Sequence, residues 1–219
     1  MIKLSKTSKM PCTSWSLQAI ETCPGSADGN GGLVDACKSC YANQGAYLWT
    51  PVKNVRNSNK EDWKRDDFVS DFVSALKKVK YHRWFDSGDL YSLELAEKIY
   101  QIMVQTPWVS HWIPSRSAKF KKFENVINRM KALPNVSFRF SSDSVMGEYV
   151  KGIHGSTIIS DNSQITENMF VCGAYTRGGK CGDCRACWDK NVSLVAYPAH
   201  GNSVKKVIML RREQSRLAA

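Results

Sequence analysis

Seven of the chain's eight cysteines fall into two tight groups. The stretch CPGSADGNGGLVDACKSCYANQGAY, residues 23–47, carries Cys23, Cys37 and Cys40. The stretch CGAYTRGGKCGDCRACW carries Cys172, then Cys181, Cys184 and Cys187 at C-x2-C-x2-C spacing. Thiolates this close converge from a glycine-assisted loop onto one inorganic core, and the triplet is the compact run of bacterial ferredoxins. Structural zinc is the alternative, although four-cysteine zinc sites usually present two C-x2-C pairs. The first group holds three thiols. Three thiolates fill three irons of a four-iron cube and leave the fourth free for a substrate or cosubstrate, as an open position marks a catalytic zinc. Cys12 stands apart, so the cysteines divide equally well as 4 + 4 or as 3 + 4 + 1.

The elements that would position these thiols are legible in the middle of the chain. HRWFDSGD (82–89), VSHWIPSRS (109–117) and VSFRFSSDS (136–144) read as strands that end in polar turns. One helix starts after the N-cap Ser92, with Leu95, Ile99, Ile102 and Met103 on one face. A second runs over about 118–133, with Phe120, Phe123, Val126, Ile127 and Met130 inward, until Pro134 stops it. A third covers 66–79 with Phe68, Phe72, Val73 and Leu76 inward. STIIS (156–160) and VSLVAYP (192–198) read as further strands. This alternation predicts a single α/β domain over 1–219 built on a parallel sheet. The chain is short for a full eight-stranded barrel, so an incomplete (β/α) barrel is expected. Cysteine-bearing loops at 12–47 and 161–188 would then lie near the strand C-terminal face, where barrel active sites are built. Ser87, Asp89, Ser115 and Arg116 end successive strands, and each equally suits a cap or turn.

Composition narrows the function classes. A 219-residue chain with 42% hydrophobic residues and seven tryptophans is not disordered. Net charge is +11, with basic runs at KKVKYHR, SAKFKK and KKVIMLRR, which points to an anionic partner such as nucleic acid. Lys205, Lys206, Arg211, Arg212 and Arg216 read as a solvated terminal segment able to touch phosphates. No secretory signal or bilayer-length apolar run is present, so no membrane partner is expected. A reducing cytoplasm follows, and there eight cysteines suit metal or redox chemistry better than disulfides. His82, His111, His154 and His200 lack ligand spacing and read as hydrogen-bonded or surface residues. Trp84, Trp108 and Trp112 read as core.

CPGS…CKSCYA, RWFDSGDLYS, IPSRS and CGDCRACW together resemble the phage gene product 88 family, over residues 23 to about 197, with Cys12 outside the pattern. That family in turn resembles radical S-adenosylmethionine (SAM) enzymes, whose motif is C-x3-C-x2-C on a partial (β/α) barrel. The chain departs from the motif: thirteen residues separate Cys23 from Cys37, and Ser39 stands where an aromatic is usual. The resemblance implies a [4Fe–4S] cluster on Cys23, Cys37 and Cys40 whose unique iron holds SAM, and a second metal centre on Cys172, Cys181, Cys184 and Cys187. It further implies that Gly88 gives close backbone approach, that Ser87 or Asp89 receives the SAM ammonium, and that Ser115 and Arg116 take its carboxylate. One-electron reduction of the sulfonium is the chemistry such a cluster supplies. Three readings follow: a radical-SAM-like enzyme with a reductant protein and a nucleic-acid or host-protein partner, a non-enzymatic iron–sulfur relay, sensor or host-interaction protein, and a zinc-stapled nucleic-acid-binding protein.

Overall fold

The computed structural model describes residues 2–217. Its sheet has eight strands: β1 (Ser5–Lys6), β2 (Thr13–Trp15), β3 (Tyr81–Trp84), β4 (Ser110–Ser115), β5 (Val136–Ser141), β6 (Gly155–Ile159), β7 (Met169–Val171) and β8 (Leu194–Pro198). Their order across the sheet is β1, β2, β3, β4, β5, β6, β8, β7. β1 pairs antiparallel with β2 and every other pairing is parallel. The helices are α1 (Asp35–Lys38), α2 (Thr50–Asp62), α3 (Phe68–Ala75), α4 (Leu93–Gln105), α5 (Glu124–Ala132) and α6 (Asn202–Leu217). The α/β class and the parallel sheet are therefore as expected. The sheet is open, as an incomplete barrel would be, with β1 and β7 at its edges, and nothing in its strand order marks it as a barrel.

One face of the sheet lies under helices. α3, α4 and α5 form successive crossovers, and their apolar stripes meet strand residues of one parity. Trp15, Trp84, Ile113 and Phe138 are buried here with Phe68, Phe72, Ile99, Ile102 and Val126. Ser92 caps α4 by accepting from the Leu95 amide at 3.4 Å, and all four apolar residues expected inward on that helix are buried. Each such side chain removed from water is worth roughly 1.5–3 kcal/mol. The helix expected at 118–133 is regular only from Glu124. Two 3-10 turns precede it because Phe120 is extended (φ −96, ψ 123) and breaks the first turn. The helix expected at 66–79 shortens to Phe68–Ala75.

Register fixes what the other face carries. Ser14 pairs with Arg83, Arg83 with Trp112, Trp112 with Ser137 and Pro114 with Arg139. Ser141 pairs with Ser156, Ser156 with Val195 and Ile158 with Tyr197. Alternation puts all of these on the face opposite the α3–α5 layer. α6 packs Val204, Val207 and Ile208 with Ala36 and Val145, and Ile158 sits against the same cluster. The five basic residues read as solvated are exposed, and the structure adds that their segment is a helix docked through three apolar side chains. Arg211 pairs with Asp35 at 2.7 Å and Arg212 with Asp161 at 2.9 Å, so both cations tie the helix to the body of the protein. Trp108 also departs from the core expectation: it is 47% exposed, with its indole N–H donated to the Leu76 carbonyl.

Beneath α3 and α4 lie two buried histidines. Thr106 donates its hydroxyl to the Ile102 carbonyl, so it accepts from His111 Nε2–H at 2.9 Å, and His111 Nδ1 accepts from Trp84 Nε1 at 3.3 Å. This network uses neutral imidazole on both nitrogens. Burial pushes the His111 pKa down to about 3, and burial with the His111 charge pushes His82 well below its ordinary value. A base with a depressed folded pKa binds its proton first in the unfolded state. Its stabilisation is complete above the ordinary value near 6.5 and is lost as pH falls from there toward about 3. Denaturant midpoints should therefore drop through that window. The stability advantage of wild type over His111→Gln should narrow on acidification, and a pH-independent gap would contradict the assignment.

Candidate functional site

The first cysteine segment leaves β2 at the strand's C-terminal end. Cys23 begins a short turn in which Ser26 donates its amide and its hydroxyl to the Cys23 carbonyl at 2.9 and 2.7 Å. The Val34 amide then returns to the Ser26 carbonyl at 2.9 Å, and Ala27 bridges Leu33. The glycine-rich stretch between is thus a hairpin tip, in which Asp28 Oδ1 accepts from the Asn30 and Gly32 amides. Pinching 26 against 34 leaves Cys23 and Cys37 each only three residues from the pinch. α1 then carries Cys37, and Cys40 starts the next turn.

At the ends of β3 and β4 the chain is locked by one carboxylate. Asp89 is 5% exposed and accepts from Ser115 Oγ (2.6 Å), the Leu90 amide (2.7 Å), the Arg116 amide (2.8 Å) and the Ser117 amide (3.2 Å). Burial raises its pKa, and these hydrogen bonds pull against that rise. Ser87 Oγ donates to the Leu17 carbonyl at 2.7 Å. Gly88 has φ +80, and a Cβ there would stand 2.6 Å from Leu17 Cβ and 2.8 Å from Thr22 Oγ1. Arg116 donates Nη2 to the Ser142 carbonyl at 2.7 Å and lies 3.4 Å from Asp143. Gly25 packs where a Cβ would meet Arg116 Cβ at 2.5 Å, which presses the first cysteine segment onto the end of β4.

The second cysteine segment, between β7 and β8, has one 3-10 turn at Tyr175–Arg177 as its regular structure and is held from below. Arg139 on β5 is fully buried and donates to the carbonyls of Ala186 (2.9 Å), Cys187 (3.0 Å), Asp189 (2.7 Å) and Val192 (2.8 Å). One guanidinium therefore folds the loop that carries the C-x2-C-x2-C run. Cys181 donates its amide to the Lys9 carbonyl, which draws the N-terminal segment to the same place.

A cavity of about 530 Å³ opens at this end of the sheet. Its lining includes Cys23, Cys37 and Cys40, then Cys172, Cys181, Cys184 and Cys187, and also Ser87, Gly88, Asp89, Ser115 and Arg116. Two segments far apart in sequence thus share one chamber. All eight cysteines are free thiols. Among the described residues no three His, Cys, Asp or Glu side chains stand close enough together to hold a single metal ion. The thiols do feel one another: burial pushes Cys23 up to about 12, with contributions from Asp89, Cys37 and Cys40. Cys181 is raised by burial and by the charges of Cys172 and Cys184, and Cys187 by burial and by that of Cys172. Cys12 goes with the second group. It is buried with Met10, Trp112 and Trp188, Cys181 and Cys187 pack against that cluster, and burial lifts its pKa to about 11.

A family model described as Gene product 88 matches residues 2–190. The chain belongs to the gene product 88 family. No curated protein and no solved structure matches it, and the further likeness to radical-SAM enzymes has no support from these comparisons. The gene product 88 match takes in Cys12, which the sequence reading left outside the pattern, and it stops short of α6. Residues that sequence reasoning did not single out are Arg139, Arg83, Tyr41 and Tyr47. Arg83 donates to Asp86 (2.8 Å) and to the Tyr41 hydroxyl (3.0 Å), and Tyr47 donates to Asp86 at 2.5 Å. The signal available for the arginines was strand parity: each sits between two large ring side chains, in His-Arg-Trp and Phe-Arg-Phe.

Two substitutions test how this family member holds its cavity. Asp89→Ala leaves the Leu90 and Arg116 amides and the Ser115 hydroxyl without their acceptor, while the Ser117 amide keeps Ser115 Oγ, and should cost about 3 kcal/mol of unfolding free energy, with Asp89→Asn costing less. Arg139→Gln leaves carbonyls of the second cysteine segment without donors. It should speed alkylation of Cys184 and Cys187 in the metal-free protein and lower stability by about 2–4 kcal/mol. Unchanged labelling rates would mean that the loop is held by other contacts.

Proposed function

We propose that the cavity binds iron–sulfur clusters, with Cys23, Cys37 and Cys40 holding one and Cys172, Cys181, Cys184 and Cys187 a second. The observation that carries this reading is the gathering of seven free thiols, in two sets from distant segments, around one chamber. The donors suit such a core. All are soft sulfur, and burial opposes ionisation of most of them, so a strongly positive centre is needed to hold them as thiolates. A zinc ion needs donors about 2.0–2.3 Å from a single point. A multi-iron core is bulkier and is ligated by thiolates, and this donor set is all free thiol.

In its finer form the proposal is a radical-SAM-like enzyme. Bound at the first group, a [4Fe–4S] cluster supplies one-electron transfer and an open iron for S-adenosylmethionine. Three features support this. The cysteine segment follows the first parallel strand, DSGD follows the second, and the hairpin at 27–33 removes most of the extra length between Cys23 and Cys37. Cys12 lies beside Cys181, which favours a three-thiol first site. The chain's own residues then have defined tasks. Asp89 and Ser115 fix the strand ends, Arg116 sets a positive charge beside Cys37, and Tyr41 and Tyr47 close the chamber over Asp86. The side-chain oxygens of Ser87 and Asp89 are committed to the scaffold, so they act through shape more than through direct contact with the SAM ammonium.

Anaerobic reconstitution should give a brown protein with iron and acid-labile sulfide. Cys23→Ser/Cys37→Ser/Cys40→Ser and Cys181→Ser/Cys184→Ser/Cys187→Ser should each lose about half of both. SAM should alter the EPR spectrum of the reduced wild type and of the second variant but not of the first, and 5′-deoxyadenosine should form only where the first group is intact. A SAM-silent cluster would leave a redox relay or sensor. Stoichiometric zinc with no sulfide would remove both iron readings.

A further inference from the structure

Arg83 and Trp112 occupy paired positions on β3 and β4 and face the cavity, where the guanidinium lies over the indole at 4.6 Å. Neither can swing freely. Arg83 is held by Asp86 and Tyr41, and its Nη1 lies 3.5 Å from Met10 Sδ. Trp112 meets Trp188 edge-on at 5.2 Å, and Trp188 follows Cys187 and is fixed by donating its indole N–H to the His82 carbonyl at 3.0 Å. Cys181 and Cys187 pack against the cluster that contains Trp112. Two buried donors in this assembly have no protein acceptor: Arg83 Nε and Trp112 Nε1. A buried N–H without a partner costs roughly 1–3 kcal/mol, so two neighbouring ones on residues that line the cavity point to an acceptor that the protein does not itself provide.

We propose that Arg83 and Trp112 set the reduction potential of the cluster held by the C-terminal cysteine group, by donating N–H groups toward its sulfurs. The inference rests on the cluster reading above. Donors and positive charge near the sulfurs stabilise the reduced form, which carries one more negative charge, and so raise the potential. Asp86 offsets part of the Arg83 charge, but the two free N–H groups remain. Both residues are positioning residues; neither supplies a ligand. Tyr41, one residue past Cys40, also touches Arg83, so the same cation joins the two cysteine groups.

The test uses the full chain carrying Cys23→Ser/Cys37→Ser/Cys40→Ser, so that one cluster signal remains. The protein is reconstituted anaerobically and titrated with dithionite under EPR. Trp112→Phe keeps the ring and removes the donor, Arg83→Gln removes the charge, and Arg83→Lys restores it. Trp112→Phe and Arg83→Gln should move the midpoint to more negative potential at unchanged iron and sulfide content, with Arg83→Lys returning part of the shift. If Arg83→Gln does not fold, Trp112→Phe and Arg83→Lys decide the matter. A full cluster complement with unmoved midpoints overturns this inference alone. A parent protein that takes up no iron or sulfide overturns the cluster reading at this group and the inference with it.

Discussion

The seam between β3 and β4 depends on a carboxylate in an almost waterless place. Burying Asp89 is unfavourable by itself, and it is tolerated because Ser115 and the amides of Leu90, Arg116 and Ser117 converge on it. Those bonds fix the strand ends relative to each other. Arg116 is thereby held against the backbone of residue 142, and Gly25 closes on Arg116 without room for a side chain. The first cysteine segment is thus positioned at second hand. The carboxylate orders the strand ends, and they order the loop.

The second segment solves the same problem with the opposite charge. A loop of irregular backbone needs partners for its carbonyls, and Arg139 offers a rigid fork of donors from inside the sheet. Burial lowers the pKa of that guanidinium, yet arginine stays charged where lysine would readily lose its proton. Both cysteine loops are therefore tied to the sheet through buried ionic groups, which act together with their own short helical turns. That arrangement suits a site whose donors must hold their places around a large cofactor.

Much of this was legible in the sequence. The α4 stripe, the polar strand ends and the two cysteine groups follow from periodicity and spacing, because burial of one helix face and one sheet face imposes those periods. What escaped has a shared cause. β1, β2 and β7 span two or three residues and carry no readable alternation. α2 buries Arg56 and Asn59 where an apolar stripe would be sought, with Asn59 bonded to the Ser16 carbonyl. α6 mixes charged, polar and exposed apolar residues and hides only Val204, Val207 and Ile208. Arg83 and Arg139 are hard to read from sequence for the converse reason. An arginine between aromatic residues on a strand looks like the solvated face of an amphipathic sheet, whereas here the second face is roofed by cysteine loops.

That roof also bears on how the eight thiols divide. Cys12 precedes β2 by one residue, and the strand's direction carries the chain away from it before the first group begins. The neighbours whose charges it feels are Arg83, Cys181, Asp86 and Arg185, none of them a thiol of the first group. A 4 + 4 division would need Cys12 to leave these neighbours and join Cys37 and Cys40. Its packing with Met10, Trp112 and Trp188 holds it beside Cys181 and Cys187. The geometry thus separates a three-thiol group from a four-thiol group with a buried fifth sulfur beside it. On the proposed cluster reading, the group with fewer thiols than a cluster has irons is the one open to a ligand from outside the chain.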